Sequence, residues 1–152
     1  MDDSAPVAVD TVLAPVDGSD ESATAIEYAV AIADRYDASV HALFVLGRGL
    51  VEGMNAGTVD ADDVATNTRE FFEGVRRIAD EEGVPLSTSV DDGYSPRIKT
   101  RHPGNVVLDT ADVIDADFIV LPRETVGDPA TEVLEQAAEY VLAYASQPVL
   151  SV

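Results

Sequence analysis

Cysteine is absent from the 152-residue chain, so it can build no disulfide framework, thiolate metal site or cysteine nucleophile. Histidine occurs only at His41 and His102, too few for a histidine-rich metal centre. Bases are scarce as well, and Lys99 is the single lysine. No apolar run approaches the roughly 20 residues of a membrane span; among the longest is Ala42 to Leu46. The start, Met1-Asp2-Asp3-Ser4, is acidic where a secretory leader is basic. These absences predict a soluble, cytoplasmic protein with no metal and no membrane partner.

Acid dominates what is present: 29 Asp and Glu oppose 9 Lys and Arg, a net charge of −20. Such an excess repels nucleic-acid phosphates and anionic membrane surfaces, which excludes a nucleic-acid binder. The acids fall on every segment rather than in one tail. That distribution suits a cytoplasm of molar salt, where the Debye length falls to ~3 Å and self-repulsion is screened. An ordinary acidic protein is the other reading of the same count. Apolar residues make up 46% of the chain, which argues against general disorder. At this length one domain buries roughly 68–70% of its unfolded surface without staples.

Residues 1–10 read as an acidic flexible tail and 11–152 as one domain in which strands and helices alternate. Thr11 to Val16 is a short apolar strand that ends at the turn Asp17-Gly18-Ser19. From Asp20 to Tyr36 the apolar positions Ile26, Ala29, Val30 and Ala33 recur at three and four, an amphipathic helix capped by Ser19 or Asp20. Ser39 to Leu46 is a strand buried on both faces. Residues 47–60 contain Gly47, Gly49, Gly53 and Gly57 and show no period, so a mobile surface loop is expected. A second helix from about Asp62 to Glu82 carries Val64, Thr68, Phe71, Phe72, Val75, Ile78 and Ala79, with Gly83 placed to end it. Val84 to Val90 is the third strand, and 91–102 is a strand extension or hairpin rather than a helix. A helix opens at Pro103, a strand runs from Phe118 to Leu121, and Asp128-Pro129 begins the last helix. Pro148 to Val152 closes the chain as an edge strand. Five strands separated by helices predict an α/β fold: a five-stranded parallel sheet, doubly wound and Rossmann-like. Ligands of such sheets sit at the carboxyl ends of the strands where the winding reverses, here the loops 17–19 and 122–131.

Val12-Leu13-Ala14-Pro15-Val16-Asp17-Gly18-Ser19 before an alanine-rich helix resembles the opening of the universal stress protein family. Phe118-Ile119-Val120-Leu121 and the ending Pro148-Val149-Leu150-Ser151-Val152 resemble its close. The likeness covers nearly the whole chain beyond the tail, with an insertion around 91–101. It implies an adenine nucleotide alpha-hydrolase-like fold, a homodimer closed through the last strand (Pro148, Val149, Leu150, Ser151, Val152), and a non-catalytic role in stress survival or regulation. ATP-binding members of the family carry glycine, two residues, glycine, nine residues, then glycine and serine or threonine directly after the fourth strand. Those small residues let backbone N–H groups and a helix start close on phosphate. The matching positions here are Pro122, Thr125, Glu135 and Gln136, and none fits. Loss of ATP binding, and hence no cofactor, is the expectation. The adenine-side residues Pro15, Asp17 and Leu46 persist, with Gly18 and Ser19 beside them. Asp17 then has two readings: an acceptor for adenine, or a member of a fold-defining capped turn.

Arg97, Lys99 and Arg101 alternate, so in an extended chain their side chains leave one face. With His102 and Arg123 they are the one basic concentration, read either as an anion site or as partners of surface carboxylates. An anion or nucleotide sensor at the strand ends is therefore the alternative function. His41 reads as a hydrogen-bonded core histidine rather than a ligand. Tyr140 and Tyr144, one turn apart, lie off the apolar stripe of the last helix, as an interaction face or as ordinary surface. No base–nucleophile pair or metal-ligand cluster stands out.

Overall fold

The computed structural model describes residues 8–91, 102–122 and 132–152. Its elements run β1 (Thr11–Val16), α1 (Asp20–Tyr36), β2 (Ser39–Val45), α2 (Arg48–Ala56), α3 (Ala61–Glu81), β3 (Leu86–Asp91), α4 (Pro103–Ile114), β4 (Phe118–Leu121), α5 (Glu132–Tyr144) and β5 (Val149–Ser151). The five strands form one sheet in the order β3-β2-β1-β4-β5, with every pairing parallel. This is the doubly wound α/β fold expected from the alternation of elements.

Alternation along each strand divides the core in two. Val12, Ala14 and Val16 of β1 join Val40, Ala42 and Phe44 of β2 on the face covered by α1 and α3. Leu13, Leu43, Val45, Ile119 and Leu121 point to the opposite face, where Val106, Val107, Leu134, Ala137 and Val141 of α4 and α5 cover them. Burial on both faces explains why the inner strands read as continuous apolar runs. Helix α1 presents Ala25, Ile26, Ala29, Val30 and Ala33 to the sheet, all at most 1% exposed. Small residues at this seam let the helix lie close to the strands. The Ser19 hydroxyl accepts from the Ser22 N–H at 3.1 Å to cap the helix, and Asp37 ends it in the left-handed region at φ 57°. Asp115 ends α4 the same way, with φ also 57°.

One expectation fails. Residues 48–56 are not a loop but the helix α2. The glycines obscured a three- and four-residue spacing in Leu50, Val51 and Met54, of which Val51 is buried. Gly57, at φ 80°, is the left-handed stop of this helix. Gly53 is required by packing: a Cβ there would lie within 3.0 Å of the Val59 side chain.

Strand β5 is the last of the sheet and pairs only with β4, so it is an edge strand as expected. The expected start of the last helix at Asp128-Pro129 lies outside the described residues, as do the N-terminal part of the tail and the body of the 91–102 segment. Among the described residues no helix is long and apolar enough to cross a membrane.

Candidate functional site

The winding reverses between β1, from which β2 and β3 extend one way, and β4, from which β5 extends the other. At the carboxyl end of β1 the chain turns through Asp17-Gly18-Ser19 into α1. Asp17 Oδ1 accepts from the Ser19 N–H at 2.9 Å, an Asx turn. Gly18 holds φ 87°, and a Cβ there would press on the Phe44 ring at 3.3 Å, so glycine is needed both for conformation and for space. Ser22, fully buried, secures the turn from below: its hydroxyl donates to the Ser19 carbonyl at 2.9 Å and accepts from the Asp17 N–H at 3.4 Å. Ser22 was not singled out from the sequence. A serine three residues past a serine cap was the available signal.

The turn thus uses one carboxylate oxygen of Asp17 and not the other. Oδ2 is buried and has no hydrogen-bond partner among the described residues. Burial raises the Asp17 carboxyl above its ordinary value, and the hydrogen bonds from Ser19 and Ser22 only partly oppose that. A buried acceptor without a donor costs free energy until something donates to it. The capping reading and the binding reading of Asp17 are therefore compatible, each resting on a different oxygen. Pro15, two residues earlier, is buried in β1. Leu46 follows β2 two residues past Phe44, the register partner of Val16; its side chain packs on the α1–α3 side of the sheet.

The positions that the family resemblance assigns to phosphate are different. Pro122, which has no N–H, is buried directly after β4. Glu135 and Gln136 are exposed in the first turns of α5, where small residues would be needed for close approach. Arg97, Lys99, Arg101 and Arg123 lie outside the described residues, as does Thr125.

His102 is built into the start of α4. Its Nδ1 accepts from the Gly104 N–H at 3.0 Å and caps α4. Its ring stacks on Tyr140 with centroids 4.4 Å apart, and the Tyr140 hydroxyl donates to Asn105 Oδ1 at 2.8 Å. Tyr140 is thus part of the α4–α5 seam, while Tyr144, 69% exposed, lies beside it on the surface. His41 is hydrogen-bonded as expected, to Ser87 Oγ at 2.7 Å and Ser89 Oγ at 2.8 Å. It is half-buried rather than core, on the strand next to β3, whose serine hydroxyls satisfy both of its ring nitrogens. Burial lowers its pKa below the ordinary histidine value. Among the described residues no group of three or more His, Asp or Glu side chains could hold a metal ion. In the terminal segment Pro148 is exposed, and Val149, Leu150, Ser151 and Val152 are half-buried.

A parallel sheet wound both ways from β1, with an acidic turn at the switch point, defines a doubly wound, Rossmann-like α/β protein. The chain belongs to the universal stress protein family, whose model matches residues 8–152. It is 31% identical over 146 residues to Universal stress protein MJ0531 of Methanocaldococcus jannaschii, covering 93% of this chain and 80% of that one. Among solved structures, universal stress protein UspA from Lactobacillus plantarum superposes with a TM-score of 0.73 at 23% identity, over 97% of this chain and 99% of the other. The universal stress protein from Archaeoglobus fulgidus in complex with dAMP superposes with a TM-score of 0.62 at 20% identity, over 96% and 98%.

Proposed function

We propose that this chain is a non-catalytic stress-response protein that works in a salt-rich cytoplasm as a homodimer joined through β5. In this reading the strand-end site has kept its base-binding end and lost tight binding of ATP. The observation that carries it is the contrast between the two ends of the site. Asp17 Oδ2 remains a buried acceptor without a donor among the described residues, whereas Pro122 and Glu135 occupy the positions at which the family's phosphate loop needs N–H donors and small residues. Without phosphate contacts there is nothing to position a phosphoryl group for transfer. The dimer rests on the edge position of β5 and its half-buried apolar residues, which call for a strand on the open side.

A second reading, a sensor that binds a nucleotide or other anion at the strand ends, is favoured by the same orphan oxygen, since an exocyclic amine or ribose hydroxyl would satisfy it. Calorimetry in molar KCl separates the two. Mg-ATP with a dissociation constant in the low micromolar range would overturn the loss of ATP binding. Saturable binding of AMP or adenosine, abolished by Asp17→Ala, would establish the sensor. Binding of neither, together with a dimer by light scattering, is the result expected for a protein that acts through partners.

A further inference from the structure

A cavity of about 560 Å³ opens between α3, the end of α2 and the β3 edge of the sheet. We propose that it binds a small carboxylic acid with an apolar body, and that Arg69 and Arg76 hold the carboxylate.

The volume falls within the ~300–1,000 Å³ of small-molecule pockets. The walls are largely apolar: Leu46, Met54, Val64, Phe72 and Val90 contribute, and Val90 is 51% exposed although it lies on a strand. Thr68 also lines the cavity, but its hydroxyl is already donated to the Val64 carbonyl at 2.8 Å, so it presents mainly its methyl group. Phe44 packs edge-on against Phe72 at 5.8 Å, which stiffens the floor.

The rim is what selects the ligand. Arg69 and Arg76 are seven residues apart on α3, two turns along one face, and both line the opening. They are two of the four arginines whose side chains are described, the others being Arg35 and Arg77. In a chain with 29 acidic residues, arginines would be expected to find carboxylates, yet neither is in an ion pair among the described residues. Glu73 lies between them on the same rim. Two guanidinium groups and one carboxylate leave the opening with a single positive charge, in a molecule of net charge −20. A singly charged head group on an apolar body matches that balance; a multiply charged phosphate is repelled by the surrounding acid. Guanidinium groups also bind carboxylate oxygens in pairs, which orients the head at the rim with the body inward.

Decanoate is the probe, titrated by calorimetry into the full-length protein at fixed KCl, with decyltrimethylammonium and decanol as chain-matched controls. One saturable decanoate site per chain is expected, with weaker binding of decanol and none of the cation. Arg69→Gln/Arg76→Gln should lower decanoate affinity at least about tenfold while leaving that for decanol unchanged. Arg77→Gln, next along α3 but not on the rim, should leave decanoate affinity unchanged. Ala65→Trp fills the opening from an exposed position and should abolish binding of both; circular dichroism checks that each variant is folded. Absence of saturable decanoate binding would overturn the proposal. So would equal affinity for the cation, or an equal loss with Arg77→Gln and the rim pair.

Discussion

Gly104 offers a quantitative test of how α4 is seated on α5. The residue is buried at the start of α4, and a Cβ built on it would overlap the Cβ and ring of Tyr140, closer than 3.0 Å. In an unconstrained helix, glycine to alanine gains about 1 kcal/mol. Here the added methyl has to displace a side chain fixed on three sides: stacked on His102, bonded to Asn105 and tilted against Tyr144. Overpacking of this kind costs ~1–3 kcal/mol, the Tyr140 hydrogen bond is worth ~0.5–1.5 kcal/mol, and the ring stack is worth a similar amount. The clash outweighs propensity, and Gly104→Ala should destabilise by about 2 kcal/mol. In a domain of this size that lowers Tm by roughly 4–8 °C. The decisive assay is a double-mutant cycle by thermal or urea unfolding. With Tyr140→Gly in place, which removes the Cβ as well as the ring, the clash is gone, and Gly104→Ala should be neutral or stabilising, a coupling of about 2–3 kcal/mol. A Tm for Gly104→Ala at or above that of the parent would refute the argument, as would an equal loss in both backgrounds.

Three further outcomes follow from charge and edge geometry. Burial raises the Asp17 carboxyl, so its contribution to stability is fully present below the ordinary carboxyl value of 3.8 and is lost as pH rises through the folded value; Asp17→Asn, which can keep the Asx-turn acceptor, should exceed the parent in stability at pH 7 and lose that advantage in acid, and a difference independent of pH would contradict the assignment. With a net charge of −20, the unfolding midpoint should climb from dilute buffer to molar KCl as the Debye length shrinks from ~10 Å to ~3 Å, and a flat midpoint would remove the salt-rich cytoplasm from the proposal. Pro148 O accepts from the Ile119 N–H and the Val152 N–H donates to Leu121 O, so by the parallel repeat Ser151 directs its backbone N–H outward from the sheet; Ser151→Pro should yield a folded monomer and Leu150→Asp a monomer or insoluble protein, whereas a monomeric parent in light scattering at micromolar concentration would exclude the β5 dimer.

The sequence was most legible where one local cause decides the structure. The bounds of β1, α1 and β4 agree with those read from Thr11–Val16, Asp20–Tyr36 and Phe118–Leu121, because an apolar run or a capped three-and-four spacing acts on its own. The fold class followed from element order alone. Helix α2 was missed because its glycines carry two opposed meanings: Gly57 stops a helix, whereas Gly53 is there to admit Val59, and only tertiary packing tells them apart. His41 was placed in the core on the strength of a central strand, but the covering of its face depends on where α4 and α5 pack.

The same division holds at the functional sites. Asp17-Gly18-Ser19 was recognisable as a turn with two readings, yet no pattern of residue types could say that Oδ1 belongs to the turn and Oδ2 is left buried without a donor among the described residues. That outcome depends on the buried Ser22 and on Phe44 beneath Gly18. The α3 stripe shows the limit more sharply. Val64, Thr68, Phe71, Phe72, Val75, Ile78 and Ala79 share one period, and a period cannot tell a residue facing the core from one facing a cavity. Only Thr68, Val75 and Ala79 are buried; Val64 and Phe72 line the opening beside the end of α2. Net charge is also a sum, silent about neighbours. Twenty-nine acids do not reveal that Arg69 and Arg76 stand without a carboxylate partner among the described residues, and it is this local remainder of positive charge, not the total, that sets which ligand the opening can hold.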